Sequence, residues 1–183
     1  MRWLLWLMFL PVTVVAANVS GAPEYSIKAG YILLFTRYVE WPQSAFATAK
    51  APIQICVLGT DPFGPVLDQT LAGQQSQRRP LSLRRIADPH AADGCHVLFI
   101  GTAAMEQTKQ WLAAVSRQPV LTISDHSEAL EYGAILGFVS EVEDGRARIR
   151  FEANLPSMQR AGLSASSQML VAARKVHRDD PGI

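Results

Sequence analysis

The chain has 183 residues, 49% of them hydrophobic and 18% charged, with a formal net charge of +1. That composition suits one globular domain and excludes a disordered tail or an array of small modules. Near-neutrality also removes the electrostatic pull toward phosphate backbones and anionic lipid, so nucleic acid is not an expected partner.

The first seventeen residues differ from the rest. Met1-Arg2 is a minimal positive start, Trp3 to Ala16 is almost wholly apolar, and Val15-Ala16-Ala17 offers the small-residue pattern of a signal-peptidase site. A second cut would fall after Ala22. The apolar run of about fourteen residues is short of the ~20 a bilayer span needs, which favours a cleaved leader over an anchor. Cleavage after Ala17 removes only Arg2 among charged groups, taking Lys and Arg from 17 to 16 against 16 Asp and Glu. The mature chain is then expected to be neutral, soluble and periplasmic.

An amphipathic helix is predicted over Glu24 to Val39, with Ile27, Tyr31, Leu34, Phe35 and Tyr38 at helical spacing. Pro42 ends it, with Trp41 pushed toward an extended backbone. Ile53 to Leu58 reads as a buried strand. Asp61 as cap and Pro62 as first residue start a helix over Phe63 to Leu71. Gly73 to Pro80 reads as a loop, Leu81 to Ile86 as a more exposed strand and His96 to Ile100 as a buried one. A helix over Ala103 to Ser116 precedes a strand over Pro119 to Ile123 and a short helix near Ser127 to Tyr132.

Two strands, Ala134 to Glu141 and Arg146 to Ala153, are joined by the tight-turn pair Asp144-Gly145. Asn154 caps a helix over Leu155 to Ala161, and Gly162 separates it from another over about Ser166 to Val176. Residues 24–177 thus read as one domain, followed by a flexible tail at 178–183. Strands alternating with helices at crossover spacing imply a mainly parallel sheet covered on both faces. The expected fold is a three-layer, Rossmann-like or flavodoxin-like α/β sandwich with a C-terminal antiparallel hairpin at its edge.

Chemistry-bearing motifs are sparse. The Gly59 to Gly64 loop follows a central strand where ligands settle in such sheets, but it is no GxGxxG and Asp61 would repel an anion, so a capped turn is expected. Ser124-Asp125-His126 holds the residue types of a hydrolase triad, yet triad side chains converge from separate elements, and no G-x-S-x-G elbow is present. The four histidines, His90, His96, His126 and His177, show no ligand spacing, so no metal and no cofactor is expected.

The strand from Arg146 onward alternates strictly. Ile149, Phe151 and Ala153 share one face, and Arg148, Arg150, Glu152 and Asn154 share the other. The polar face reads either as a solvated surface or as the wall of a shallow ligand or partner pocket roofed by Leu155 and Met158. The aromatic edge of Phe35, Tyr38, Trp41 and Phe46 reads as packing, with Tyr38 and Trp41 candidates for a protein-contact patch. Cys56 and Cys95 are open to two readings. An exported protein favours a disulfide, whose loop of about 40 residues would contribute roughly 4 kcal/mol, while buried free thiols are the alternative.

Five segments in order resemble the YfiR family of periplasmic proteins. They are YSIKAGYILLFTRYVEWP (Tyr25 to Pro42), ICVLGTDPFG (Ile55 to Gly64), GCHVLFIG (Gly94 to Gly101), PVLTISD (Pro119 to Asp125) and RIRFEANLPSMQRAGLSASSQML (Arg148 to Leu170). The resemblance implies a non-enzymatic periplasmic repressor. Its partner would be the sensor domain of an inner-membrane diguanylate cyclase, so that it lowers cyclic di-GMP and biofilm formation; a second patch would serve a homodimer. It also implies a disulfide between Cys56 and Cys95, whereas the second cysteine pair of some relatives, near Glu131 to Ser140, is missing here. The competing expectation is a small-molecule-binding sensor using the Arg148, Arg150, Glu152 and Met158 surface.

Overall fold

The computed structural model describes residues 22–101, 103, 105–143 and 146–178. The expected leader (1–17), the Asp144-Gly145 turn and the residues after 178 lie outside the described residues. The chain opens with α1 (Ala22–Tyr38), β1 (Val39–Glu40), β2 (Ile53–Leu58), α2 (Pro65–Leu71), β3 (Gln75–Ser76), β4 (Arg79–Ile86) and β5 (Val97–Ile100). It continues with α3 (Met105–Val115), β6 (Leu121–Ser124), β7 (Leu136–Glu143), β8 (Arg146–Asn154), α4 (Leu155–Arg160), β9 (Ser164–Ala165), α5 (Ser167–Ala172) and β10 (Lys175–His177). Single 3-10 turns lie at Gln43–Ala45, Pro89–Ala92 and Ser127–Tyr132.

The main sheet has the order β10-β8-β7-β6-β5-β2-β4-β3. Its centre, β4, β2, β5, β6 and β7, is parallel, as expected from crossover connections. Strands β2, β5 and β6 are buried and apolar because both faces of the central sheet are covered. One layer packs α1, α2 and α5 over Ile55, Val57, Phe99, Phe138 and Phe151. The other packs α3 and the turns at Pro89–Ala92 and Ser127–Tyr132 over Cys56, Leu58, Leu98 and Ile100. The architecture is the α/β sandwich that the sequence implies.

Four local readings are corrected. The last helix stops at Ala172, because Ala173 is extended and residues 175–177 run beside β8 as β10. That pairing gives the outer edge of β8 hydrogen-bond partners, including Arg174 N–H to the Phe151 carbonyl, and the hairpin is therefore not the sheet's edge. Helix α2 begins at Pro65 rather than Pro62; Asp61 instead closes the preceding turn by accepting from the Phe63 N–H at 2.8 Å.

The segment read as a loop, Gly73 to Pro80, contains a tight hairpin of β3 and β4 whose two turn residues, Gln77 and Arg78, have φ of 52° and 60°. Left-handed backbone is costly for side-chain-bearing residues. Gln77 compensates by donating from Nε2 to the carbonyls of Thr36 and Val39, at 2.8 and 2.7 Å, where α1 ends with unpaired acceptors.

Candidate interaction surfaces

The doubly wound architecture directs attention first to the carboxyl ends of β2 and β5, where the strand order reverses. That crevice is shut. A Cβ at Gly101 would lie 1.9 Å from the Thr60 carbonyl oxygen, and one at Gly59 would lie 2.9 Å from the Trp111 ring. The two loops are in contact, and the Gly59 to Gly64 segment is a structural turn tied by Arg85 to Asp61 and Asp68 at 2.6 Å each.

The Ser124, Asp125 and His126 side chains do not form a relay. Ser124 Oγ accepts from the His126 backbone N–H, while Asp125 accepts from Tyr25 Oη at 2.8 Å and meets Lys28 Nζ at 2.8 Å. Lys28 is buried against the Tyr25 and Phe138 rings, so Asp125 and Glu24 neutralise a cation the helix carries inward. Burial, then the hydrogen bond to Asp125, holds the Tyr25 phenol protonated well above its usual range. The cluster pins the first turns of α1 to the end of β6.

Cys56 and Cys95 form a disulfide between β2 and the start of β5, with Cα atoms 5.9 Å apart. Both residues are buried, and Arg84 closes over them. Its Nη2 donates to the carbonyls of Ala91 and Asp93 at 2.8 and 2.9 Å and sits 3.3 Å from Cys95 Sγ.

Among the described residues, two open surfaces carry predicted contact residues. The first is the polar side of β7, β8 and β10, which α3 does not reach. The alternation of β8 places Arg148, Arg150, Glu152 and Asn154 there together. Glu152 is 6% exposed yet charged: burial pushes its carboxyl up, but hydrogen bonds from His177 and Arg174 outweigh this and hold it below the ordinary range. Arg174 bridges Glu152 to Glu141, and Arg148 pairs with Glu143 at 2.9 Å. Beside them lies a hollow of about 410 Å³ whose wall includes Glu128, Glu131, Glu152, Asn154, Lys175 and His177.

The second is an apolar groove of about 250 Å³ between α1 and α5, bounded by Tyr31, Leu34, Tyr38, Phe151 and Met169. Of the predicted contact residues, Tyr38 is half-buried on this groove. Trp41 and Met158 are not surface residues: Trp41 is 8% exposed and donates from Nε1 to the His96 carbonyl, and Met158 is 1% exposed in the core. They therefore offer a partner nothing, and Met158 does not roof the polar hollow.

Sequence reasoning does not bring Arg174 and His177 to Glu152, because Arg174 lies in the predicted helix to Val176 and His177 follows it, with no strand expected beside β8. Arg84 and Lys28 carry no sequence signal that sets them apart from other cations of the chain.

Among solved structures, the chain resembles a conserved domain protein from Vibrio cholerae O1 biovar El Tor, at 10% identity and a TM-score of 0.53. The match covers 68% of this chain and 55% of that one, so the chain spans about half of its length, and the likeness concerns the fold alone. The family model described as YfiR/HmsC-like matches residues 25–174, a span containing all the central strands and ending at Arg174. The chain therefore belongs to the YfiR/HmsC-like family of periplasmic regulators.

Proposed function

We propose that this protein is a non-enzymatic periplasmic repressor that binds the sensor domain of an inner-membrane diguanylate cyclase and lowers cyclic di-GMP. The observation that carries it is the family match over residues 25–174. Two features agree with a binding role. The crevice in which this architecture places ligands is closed, and the open surfaces among the described residues include a polar sheet face and an apolar groove. Among the described residues, no helix is long and apolar enough to cross a membrane. The leader at residues 1–17 would carry the chain to the periplasm.

The test is a bacterial two-hybrid assay between the mature chain and the periplasmic domains of the host's cyclases. Reconstitution with one of them supports repression by contact; silence against all of them sinks it. The hollow beside Glu152 favours a second reading, a sensor that releases its partner on binding a small molecule. A metabolite-library thermal shift that disappears in Glu152→Ala tests that reading.

A further inference from the structure

The polar face of β7, β8 and β10 departs from the rest of the sheet, whose central strands are covered on both sides. Counting Glu128 and Glu131 at its rim, five carboxylates face five cations here, but the pairing among them is uneven. Arg146, Arg148 and Arg150 project from β8, Lys175 from β10, and Arg174 lies across the strands, against the carboxylates Glu141, Glu143 and Glu152. Each of those carboxylates is already engaged, Glu143 by Arg148, Glu141 by Arg174, and Glu152 by Arg174 and His177. The side chains of Arg146, Arg150 and Lys175 have no ion-pair or hydrogen-bond partner among the described residues. Arg150 is half-buried, which makes its unpaired guanidinium the least satisfied cation of the row.

We infer that this face is the docking surface for an acidic protein segment, whose carboxylates pair with Arg150, Arg146 and Lys175; the inference rests on the repressor reading and names the chemistry of the partner's contact. A second copy offers only Glu128 and Glu131 as unengaged carboxylates for three unengaged cations, a poorer match than an acidic segment. An anionic membrane fits less well than a protein. Glu128 and Glu131 stand exposed at the rim of the same face. A lipid surface would repel both, whereas a protein can meet them with cations of its own. That pairing also sets which way round the partner lies.

The nine residues of β8 and the width of three strands give a footprint of roughly 30 by 14 Å, about half of the ~800 Å² that each side of a standard interface buries. A contact of that size and polarity is reversible and salt-sensitive, as release on a signal requires.

The experiment measures binding of the mature protein to the purified periplasmic domain of the host's diguanylate cyclase by calorimetry, at low and high sodium chloride. Arg150→Glu and Lys175→Glu are each expected to weaken binding at least tenfold, with Arg150→Lys close to wild type. Wild-type affinity should fall several-fold with salt, and Lys50→Glu, on a remote loop, should change nothing. Circular dichroism melts establish that each variant is folded. Wild-type binding that is indifferent to both reversals and to salt would overturn the inference and leave the repressor reading standing. No wild-type binding to any cyclase domain would overturn both. Binding of the mature protein to anionic phospholipid vesicles, lost in Arg150→Glu while cyclase binding is kept, would assign the face to the membrane and overturn the inference.

Discussion

His177 Nε2 lies 2.7 Å from Oε2 of Glu152, and through that contact the last strand of the protein is fixed to a carboxylate buried in the sheet. Arg174 holds the other oxygen of the same carboxylate. Glu152→Gln keeps the shape and removes the charge that both partners need. The expected loss is about 1–2 kcal/mol, at the low end because Arg174 and His177 remain in touch with water. A carboxyl held below its ordinary range stabilises the native state above the unfolded value, about 4.3, and that contribution disappears as pH falls through the lower native value. Urea melts between pH 6 and pH 3 should show the wild type losing more stability than Glu152→Gln.

Lys28 and Asp125 are 4% and 7% exposed and 2.8 Å apart. Removing one member of such a pair strands the other charge in the core, so Lys28→Ala is expected to cost about 3–5 kcal/mol. Lys28→Met with Asp125→Leu should recover much of that. A double variant as unstable as Lys28→Ala would show that the pair is not the source of the cost.

His96 offers a second pH window. Its Nδ1 accepts from the Gln54 N–H at 3.0 Å, which places the ring proton on Nε2, 3.1 Å from the Ala45 carbonyl. Burial, more than any neighbour, depresses its pKa, so the native state holds the ring neutral. The unfolded chain takes up a proton below about 6.5, and the native state must therefore lose stability as pH falls from there toward the depressed native value. The melting temperature should drop by a few degrees between pH 7 and pH 5.5, and less in His96→Gln. Equal drops would assign the effect elsewhere.

Reducing the Cys56–Cys95 bond should lower stability by roughly 2–4 kcal/mol and the melting temperature by several degrees. Because Arg84 covers both sulfurs and ties down the Pro89–Ala92 turn beside them, Arg84→Ala should speed reduction by dithiothreitol several-fold. An unchanged rate would mean that the bond is reached through global unfolding.

Much of this architecture was legible in the sequence because its signals are local. The apolar run of Ile53 to Leu58 and the alternation from Arg146 to Asn154 state their burial directly, and Asn154 caps α4 by accepting from the Ser157 N–H. What was not legible depends on distant partners. The segment up to Val176 reads as helix, yet the unpaired edge of β8 draws residues 175–177 into a strand, which brings Arg174 and His177 to Glu152. Trp41 resembles an exposed anchor until His96, 55 positions away, supplies an acceptor for its indole. Gln77 and Arg78 carry no turn-residue signal, because what holds the turn is tertiary: the cap that Gln77 gives α1.

The central claim is repression of cyclic di-GMP synthesis from the periplasm. Its most direct test is intracellular cyclic di-GMP in a host lacking the gene, complemented once with the full chain and once with a version lacking residues 1–17. The account predicts a rise on deletion that only the full chain reverses. An unchanged level, or rescue by the version without the leader, would contradict it.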